Sequence, residues 1–209
     1  TAMDAQTCLN KLQYVGVLNF ATVGPDGSPQ VRCISAVHYE PDALYFFTAR
    51  GKSFCRELEK DGRVQILAYT KYKEMIRVSS YAVPVAQDRQ SRYIDRIFAQ
   101  QPYLSNVYPG DTRRIGIVFA VRDMEIEYFH LGVHPIFRES YTVGKGVVTP
   151  KGYEITADCI GCGTCVKACP QKCIEAKKPF HIVQEHCLHC GACFERCPVK
   201  AVTKRGTEQ

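Results

Sequence analysis

Apolar residues recur along this chain at two spacings, and the change of period marks its elements. From Ala5 to Tyr14 they fall every three or four residues, which predicts a short amphipathic helix. Gly16–Val23 (GVLNFATV) and Gln30–Tyr39 (QVRCISAVHY) then read as two strands of a hairpin, closed by Gly24-Pro25-Asp26-Gly27. Pro41-Asp42 marks a second turn before the apolar strand Ala43–Ala49 (ALYFFTA). Arg50-Gly51-Lys52 breaks that strand, and Ser53–Lys60 returns to helical spacing with Ser53 near the N-cap. Arg63–Thr70 and Met75–Val85 give two more strands. In Gln87–Gln101, Tyr93, Ile94, Ile97 and Phe98 share one helical face, which Pro102 ends. Ile115–Val121 and Glu125–Leu131 predict a closing hairpin around Arg122-Asp123.

Six or more strands joined by short turns in about 120 residues predict a closed or partly open barrel, mainly β with some α. The order is not βαβ throughout, so a doubly wound parallel sheet fits poorly. Residues 133–152 (VHPIFRESYTVGKGVVTPKG) are rich in Gly, Pro and polar groups and read as a linker. From Tyr153 the character changes again. The expected organisation is a β-rich domain over 1–132, a linker over 133–152 and a small cysteine-rich domain over 153–209.

That last segment contains an internal repeat. CIGCGTCVKACPQKC (Cys159–Cys173) aligns with CLHCGACFERCPVKA (Cys187–Ala201) twenty-eight residues later, with Cys, Gly, Pro and Lys columns in step. Nine of the 12 cysteines lie between Cys159 and Cys197. Eight of them form two CxxCxxCxxxCP runs, a spacing that wraps three thiolates around one face of a [4Fe–4S] cubane. Gly161, Gly163 and Gly191 permit the tight turn and leave amide N–H groups for the cluster sulfurs. Zinc also uses CxxC pairs, but one zinc needs four ligands and not two such triplets. The runs resemble those of bacterial two-cluster ferredoxins, in which the proline-flanked fourth cysteine ligates the other cubane. The resemblance implies Cys159, Cys162, Cys165 and Cys197 at one cluster, and Cys187, Cys190, Cys193 and Cys169 at the second. Cys173 aligns with Ala201 and reads as a small core residue. Cys8, Cys33 and Cys55 sit on apolar faces and read the same way. His186 and His189 flank the second run, where tuning of the potential and ordinary packing both remain open.

Composition narrows the class. The hydrophobic fraction of 45% and charged fraction of 23% are those of a globular protein. No apolar run approaches 18 residues, and the first residues lack the layout of a secretory signal. Thiolate ligands also need a reducing compartment. A cytoplasmic protein without a membrane partner is expected. The net charge of +6 suggests nucleic acid until the cofactors are counted. Each cubane with its four thiolates carries about −2, which offsets most of that charge in the holoprotein. Lys and Arg are also dispersed along the chain, so no nucleic-acid partner is expected.

Residues 16–131 resemble the pyridoxamine 5′-phosphate oxidase-like FMN-binding split-barrel superfamily. The residues that carry this are FATVGPDGSPQVR (Phe20–Arg32), LYFFTARGKS (Leu44–Ser53), GRVQI after the helix, MIRVSS (Met75–Ser80) and the final IGIVFAVRDMEIEYFHL. The resemblance implies a split barrel, FMN and a homodimer with flavin at the subunit interface. It assigns FMN contacts to Arg32, Thr48, Ala49, Lys52, Ser53, Arg77 and Ser79. Cationic side chains converging with hydroxyl donors near a helix start suit a phosphate. Val37 stands where the parent enzyme has a lysine, which argues against pyridoxamine phosphate as substrate.

The expected whole is an FMN-binding split β-barrel followed by an α+β two-cluster ferredoxin-like domain. Its expected function is that of an FMN-dependent oxidoreductase. Two [4Fe–4S] clusters would relay single electrons to or from FMN for reduction of a small organic acceptor, with an external low-potential donor. A flavin and iron–sulfur carrier between partner proteins is the alternative. Other superfamily members bind haem or a deazaflavin, so a sensor or haem-handling protein is a third reading. No catalytic triad or carboxylate pair is present, as expected where a cofactor supplies the chemistry. His38, His130 and His134 read as ordinary strand or loop histidines, and no proton donor is assigned.

Overall fold

The computed structural model describes residues 3–206, and the chain divides into two compact units. The first holds the chain up to Thr70 with Met75–Glu127 and Ser140–Val147; the second holds Lys71–Glu74, Tyr128–Glu139 and the chain from Val148 on.

The first unit opens with helix α1 (Ala5–Val15). Its N-cap Asp4 accepts a 2.7 Å hydrogen bond from the Thr7 amide, and Gly16 at φ +78° ends it. Cys8, Leu9 and Leu12 form its buried stripe. Strands β1 (Leu18–Val23) and β2 (Pro29–Ile34) make the expected hairpin, in register from Leu18↔Ile34 to Val23↔Pro29. Its turn is held by the Gly24 amide on the Ser28 carbonyl at 2.7 Å, with Gly27 at φ +83°. Strand β3 (Val37–Glu40) is separate from β2 and pairs with β4 (Ala43–Ala49). The single strand expected over Gln30–Tyr39 is therefore two, broken at Ser35-Ala36 because the halves join opposite ends of the sheet. All seven residues of β4 are buried, as its continuous apolar run requires.

Helix α2 (Ser53–Lys60) follows, with Lys52 rather than Ser53 at the N-cap and no side-chain cap. Strands β5 (Arg63–Tyr69) and β6 (Glu74–Pro84) pair antiparallel. After one 3-10 turn comes α3 (Gln90–Gln100), which buries Tyr93, Ile94, Ile97 and Phe98, the face its spacing predicts. A short helix α4 (Leu104–Val107) leads to β7 (Gly116–His130). The expected closing hairpin is instead this one 15-residue strand. Arg122 and Asp123 are two successive exposed residues inside it, held by distant parts of the chain: Arg122 donates to the Tyr45 hydroxyl of β4 at 3.2 Å, and Asp123 Oδ1 accepts from the amide of Lys145, a turn residue, at 2.7 Å. Strand β8 (Phe137–Val143) pairs with β7 and lies within the segment read as a linker.

The sheet order is β2-β1-β5-β6-β7-β4-β3, an open path that makes the split barrel. Phe46 stacks on Phe119 with centroids 5.7 Å apart and tilts against Phe20 at 4.7 Å, so the middle of β4 is the centre of the core. Gly116 is required where β7 meets β4, since a Cβ there would lie 1.9 Å from Phe47 Cε2.

In the second unit β9 (Tyr153–Ile155) pairs with β12 (Val202–Lys204), and β10 (Ile174–Glu175) with β11 (His181–Ile182). The sequence repeat is also a structural one. Helices α5 (Thr164–Ala168) and α6 (Ala192–Glu195) each start at a left-handed glycine, Gly163 at φ +75° and Gly191 at φ +81°. The core is a few apolar side chains, chiefly Ile174, Phe180, Ile182 and Val202, mixed with buried cysteines. A core this small needs a metal group to hold it. Among the described residues no helix is long and apolar enough to cross a membrane.

Candidate cluster and flavin sites

The eight run cysteines stand around two separate cavities. Cys159, Cys162 and Cys165 wall one with Cys197, which comes from the second run. Cys187, Cys190 and Cys193 wall the other with Cys169 from the first. Each cavity thus takes three thiols from one run and one from the proline-flanked cysteine of the other, and the second is lined by a fifth, Cys173. The remaining walls are largely apolar, among them Phe180 and Ile155 in one and Ile182 and Tyr153 in the other. Four sulfurs spread over the wall of an apolar cavity fit a polynuclear group larger than one ion. Backbone amides already approach the sulfurs: the His189 amide donates to Cys187 Sγ at 3.4 Å and the Ala201 amide to Cys197 Sγ at 3.2 Å. Such N–H···S bonds favour the thiolate.

The ninth cysteine is buried, as its alignment with Ala201 predicts, but its sulfur lies 3.6 Å from Cys169 Sγ. A hydrogen bond from Cys173 draws the Cys187 thiol down to about 6, helped by the His189 amide and the charges of Arg138 and Arg205. That bond and burial push Cys173 itself far up. Burial raises Cys193 to about 11, whereas a hydrogen bond with Thr164 lowers the exposed Cys162.

In the first unit, four of the seven expected flavin contacts come together. Arg32, Thr48, Lys52 and Ser53 line one open cleft of about 470 Å³. Strand β2 brings Arg32, the end of β4 brings Thr48, and the start of α2 brings Lys52 and Ser53. Arg32 is tightly held. Its guanidinium lies over the Phe54 ring at 4.4 Å, bonds Glu57 Oε2 at 2.6 Å and donates to Thr22 Oγ1. Thr48 is 3% exposed, while Lys52 and Ser53 are exposed and Ser53 Oγ accepts from Arg56 at 3.2 Å.

The other three expected contacts lie outside the cleft lining. Ala49 is buried at the end of β4, with its carbonyl accepting from the Lys52 amide at 3.0 Å. Arg77 is ion-paired with the buried Glu127 at 2.6 Å. Ser79 donates to Gln65 at 2.9 Å and lines a different open groove, with Arg63, Tyr81 and Lys145. His38 is buried against Gln100 at 2.9 Å, and His130 meets the Tyr72 carbonyl at 3.2 Å; neither these nor His134 line the cleft. Cys33, expected on an apolar face, is exposed in the cleft lining with its sulfur 3.4 Å from Asn19 Oδ1.

Tyr103 and Tyr108 were not singled out by the sequence reading, yet they complete the cleft. Tyr103 hydrogen-bonds Ser35, and Tyr108 meets Phe47 edge-on at 5.3 Å. The only sequence signal was two tyrosines just after Pro102.

The comparisons agree with this geometry. Residues 158–201 match the 4Fe-4S dicluster domain. No curated protein is similar enough to count as a relative. Among solved structures, a NimC/NimA family protein from Clostridium acetobutylicum is 19% identical, over 66% of this chain and 91% of that one, with TM-score 0.55. A pyridoxamine 5′-phosphate oxidase-related, FMN-binding protein from Nostoc punctiforme is 16% identical, over 69% and 98%, with TM-score 0.50. PhzG from Burkholderia lata, solved with tetrahydrophenazine-1-carboxylic acid, is 14% identical, over 68% and 93%, with TM-score 0.52. At these identities the likeness is one of fold. Residues 6–126 match the pyridoxamine 5′-phosphate oxidase profile, more than half of the chain, and the protein belongs to that family.

Proposed function

We propose that this protein is an FMN-dependent oxidoreductase in which two [4Fe–4S] clusters pass electrons to or from the flavin for reduction of a small organic acceptor. The observation that carries it is the crossing of the two cysteine runs around two cavities, in a chain whose other unit belongs to a flavoprotein family. The cofactors would supply one-electron relay and one- or two-electron delivery. The chain's part is to hold and orient them. Cys159, Cys162, Cys165 and Cys197 would bind one cubane, and Cys187, Cys190, Cys193 and Cys169 the other. Lys52, Ser53 and the start of α2 would bind the flavin phosphate, with Thr48 beside the ring and Arg32 held by Glu57 at the same cleft. Phe47, Tyr103 and Tyr108 would exclude water from one side of the bound flavin.

A homodimer, an external low-potential donor and a cytoplasmic setting belong to the same proposal. The test is to purify the protein without oxygen, reduce the clusters with an excess of pre-reduced ferredoxin, and follow the flavin absorption band. The band is expected to bleach with the clusters and to recover on adding a quinone, nitroaromatic or enone acceptor. A flavin that stays oxidised while the clusters bleach would contradict the relay.

A further inference from the structure

The two cubane sites are built from one repeat, so each position in one has an equivalent in the other, and the differences between them carry information. Cys159 and Cys197 are half-buried, while their counterparts Cys187 and Cys169 are 7% and 8% exposed. Ile160 is 60% exposed and its counterpart Leu188 is half-buried. Val199 is 41% exposed and its counterpart Gln171 is half-buried. All of these comparisons point the same way. Within the second unit, the chain at the start of β8 lies against the second run: the His186 imidazole meets the Ile136 carbonyl at 2.8 Å, and Arg138, over the Phe129 ring at 4.1 Å, donates to the Cys187 carbonyl at 3.4 Å.

We infer that the site of Cys159, Cys162, Cys165 and Cys197 is the port at which a separate, acidic one-electron carrier protein docks, and that the other cubane is the inner one. This rests on the cluster relay proposed above. Ile160 and Val199, exposed apolar side chains lining the cavity with the exposed Cys162, form the centre of the contact. Lysines flank it. Lys178 runs over the first cluster loop, where a Cβ on Gly161 would lie 3.2 Å from its Cε. Lys200 follows Val199 directly and is exposed. Asp158 is the opposing charge beside Cys159, bonded to Thr156 at 3.3 Å. Lys178 and Lys200 beside the cavity, against the single Asp158, select an acidic partner over a basic one. An apolar centre with a basic rim suits a brief electron-transfer encounter, with steering by charge and water excluded above the cluster. In each encounter the carrier loses one electron and the cubane gains one, with no bond made and no proton moved.

The test uses the holoprotein and a reduced acidic two-cluster ferredoxin as probe, with cluster bleaching followed by stopped flow at low and high salt. The double variant Lys178→Glu/Lys200→Glu is expected to lower the ferredoxin rate constant about tenfold at low salt and to flatten its salt dependence. Reduction by dithionite, which needs no docking, should be unchanged. Lys172→Glu, the counterpart of Lys200 at the inner site, should stay within about twofold of wild type. Equal rates for wild type and the double variant, or an equal loss in Lys172→Glu, would overturn the assignment. Because the readout is cluster bleaching, a flavin that stayed oxidised would defeat the relay while leaving the docking result standing.

Discussion

The Arg32 guanidinium and the Glu57 carboxylate form a 2.6 Å ion pair in which Glu57 is only 5% exposed. They are twenty-five residues apart in sequence, on β2 and α2, and Thr22 of β1 closes the triangle with a 2.6 Å bond to the same carboxylate oxygen. The pair ties together the strand and the helix that frame the cleft. Much of the arginine's charge is thus matched from within, which leaves Lys52 as the more available cation for a phosphate.

Arg32→Ala should therefore act first on stability. Removing one partner of a buried pair typically costs about 3 kcal/mol, because the other charge is left behind. Urea unfolding of flavin-free protein should show this loss, and Glu57→Gln, which keeps a polar group in place, should lose less. Equal stability of Arg32→Ala and wild type without flavin would mean that the pair contributes nothing.

Lys52→Ala is expected to behave in the opposite way. Lys52 is exposed and its side chain caps nothing, so stability should be unchanged. Affinity for FMN should fall about tenfold, or about 1.4 kcal/mol, as a phosphate loses one cationic contact. Fluorescence titration of free FMN measures this directly.

Alkylation should separate the cysteines of the first unit. Cys33 is exposed in the cleft, whereas Cys8 and Cys55 are fully buried. Cys33 should react first with iodoacetamide and be protected by bound FMN. Burial, with Glu59 adding to it, pushes the Cys55 thiol up from 9.0 to about 11. The folded state thus favours the neutral thiol. Its contribution to stability is complete below pH 9 and is lost as the pH climbs through 11. Cys55→Ala should flatten the alkaline limb of a stability–pH profile.

How much was legible in the chain depended on the range of the signal. The face of α3 was readable because a 3.6-residue period is local, and the β1–β2 turn because Asp-Gly chemistry is local. Strand β7 was misread as a hairpin because Arg122-Asp123 looks like a turn, and only its long-range bonds to Tyr45 and Lys145 reveal a strand. The polar composition of 133–152 hid β8 in the same way. The repeat of the two cysteine runs was readable because its spacing is local, whereas the crossing of the fourth cysteines was implied only by the ferredoxin resemblance. The pairs Arg32–Glu57 and Arg77–Glu127 were not, since nothing in either local pattern names a partner 25 or 50 residues away. The two arginines looked alike in sequence, and only one of them lines the cleft.

The most direct test of the account is to assign each proline-flanked cysteine to its cluster by electron paramagnetic resonance of the reduced, anaerobically purified protein. Cys197→Ser should alter the same cluster signal as Cys162→Ser, and Cys169→Ser the same signal as Cys190→Ser. If Cys197→Ser instead altered the signal that Cys190→Ser alters, each run would be closing its own cage and the crossed arrangement would be wrong.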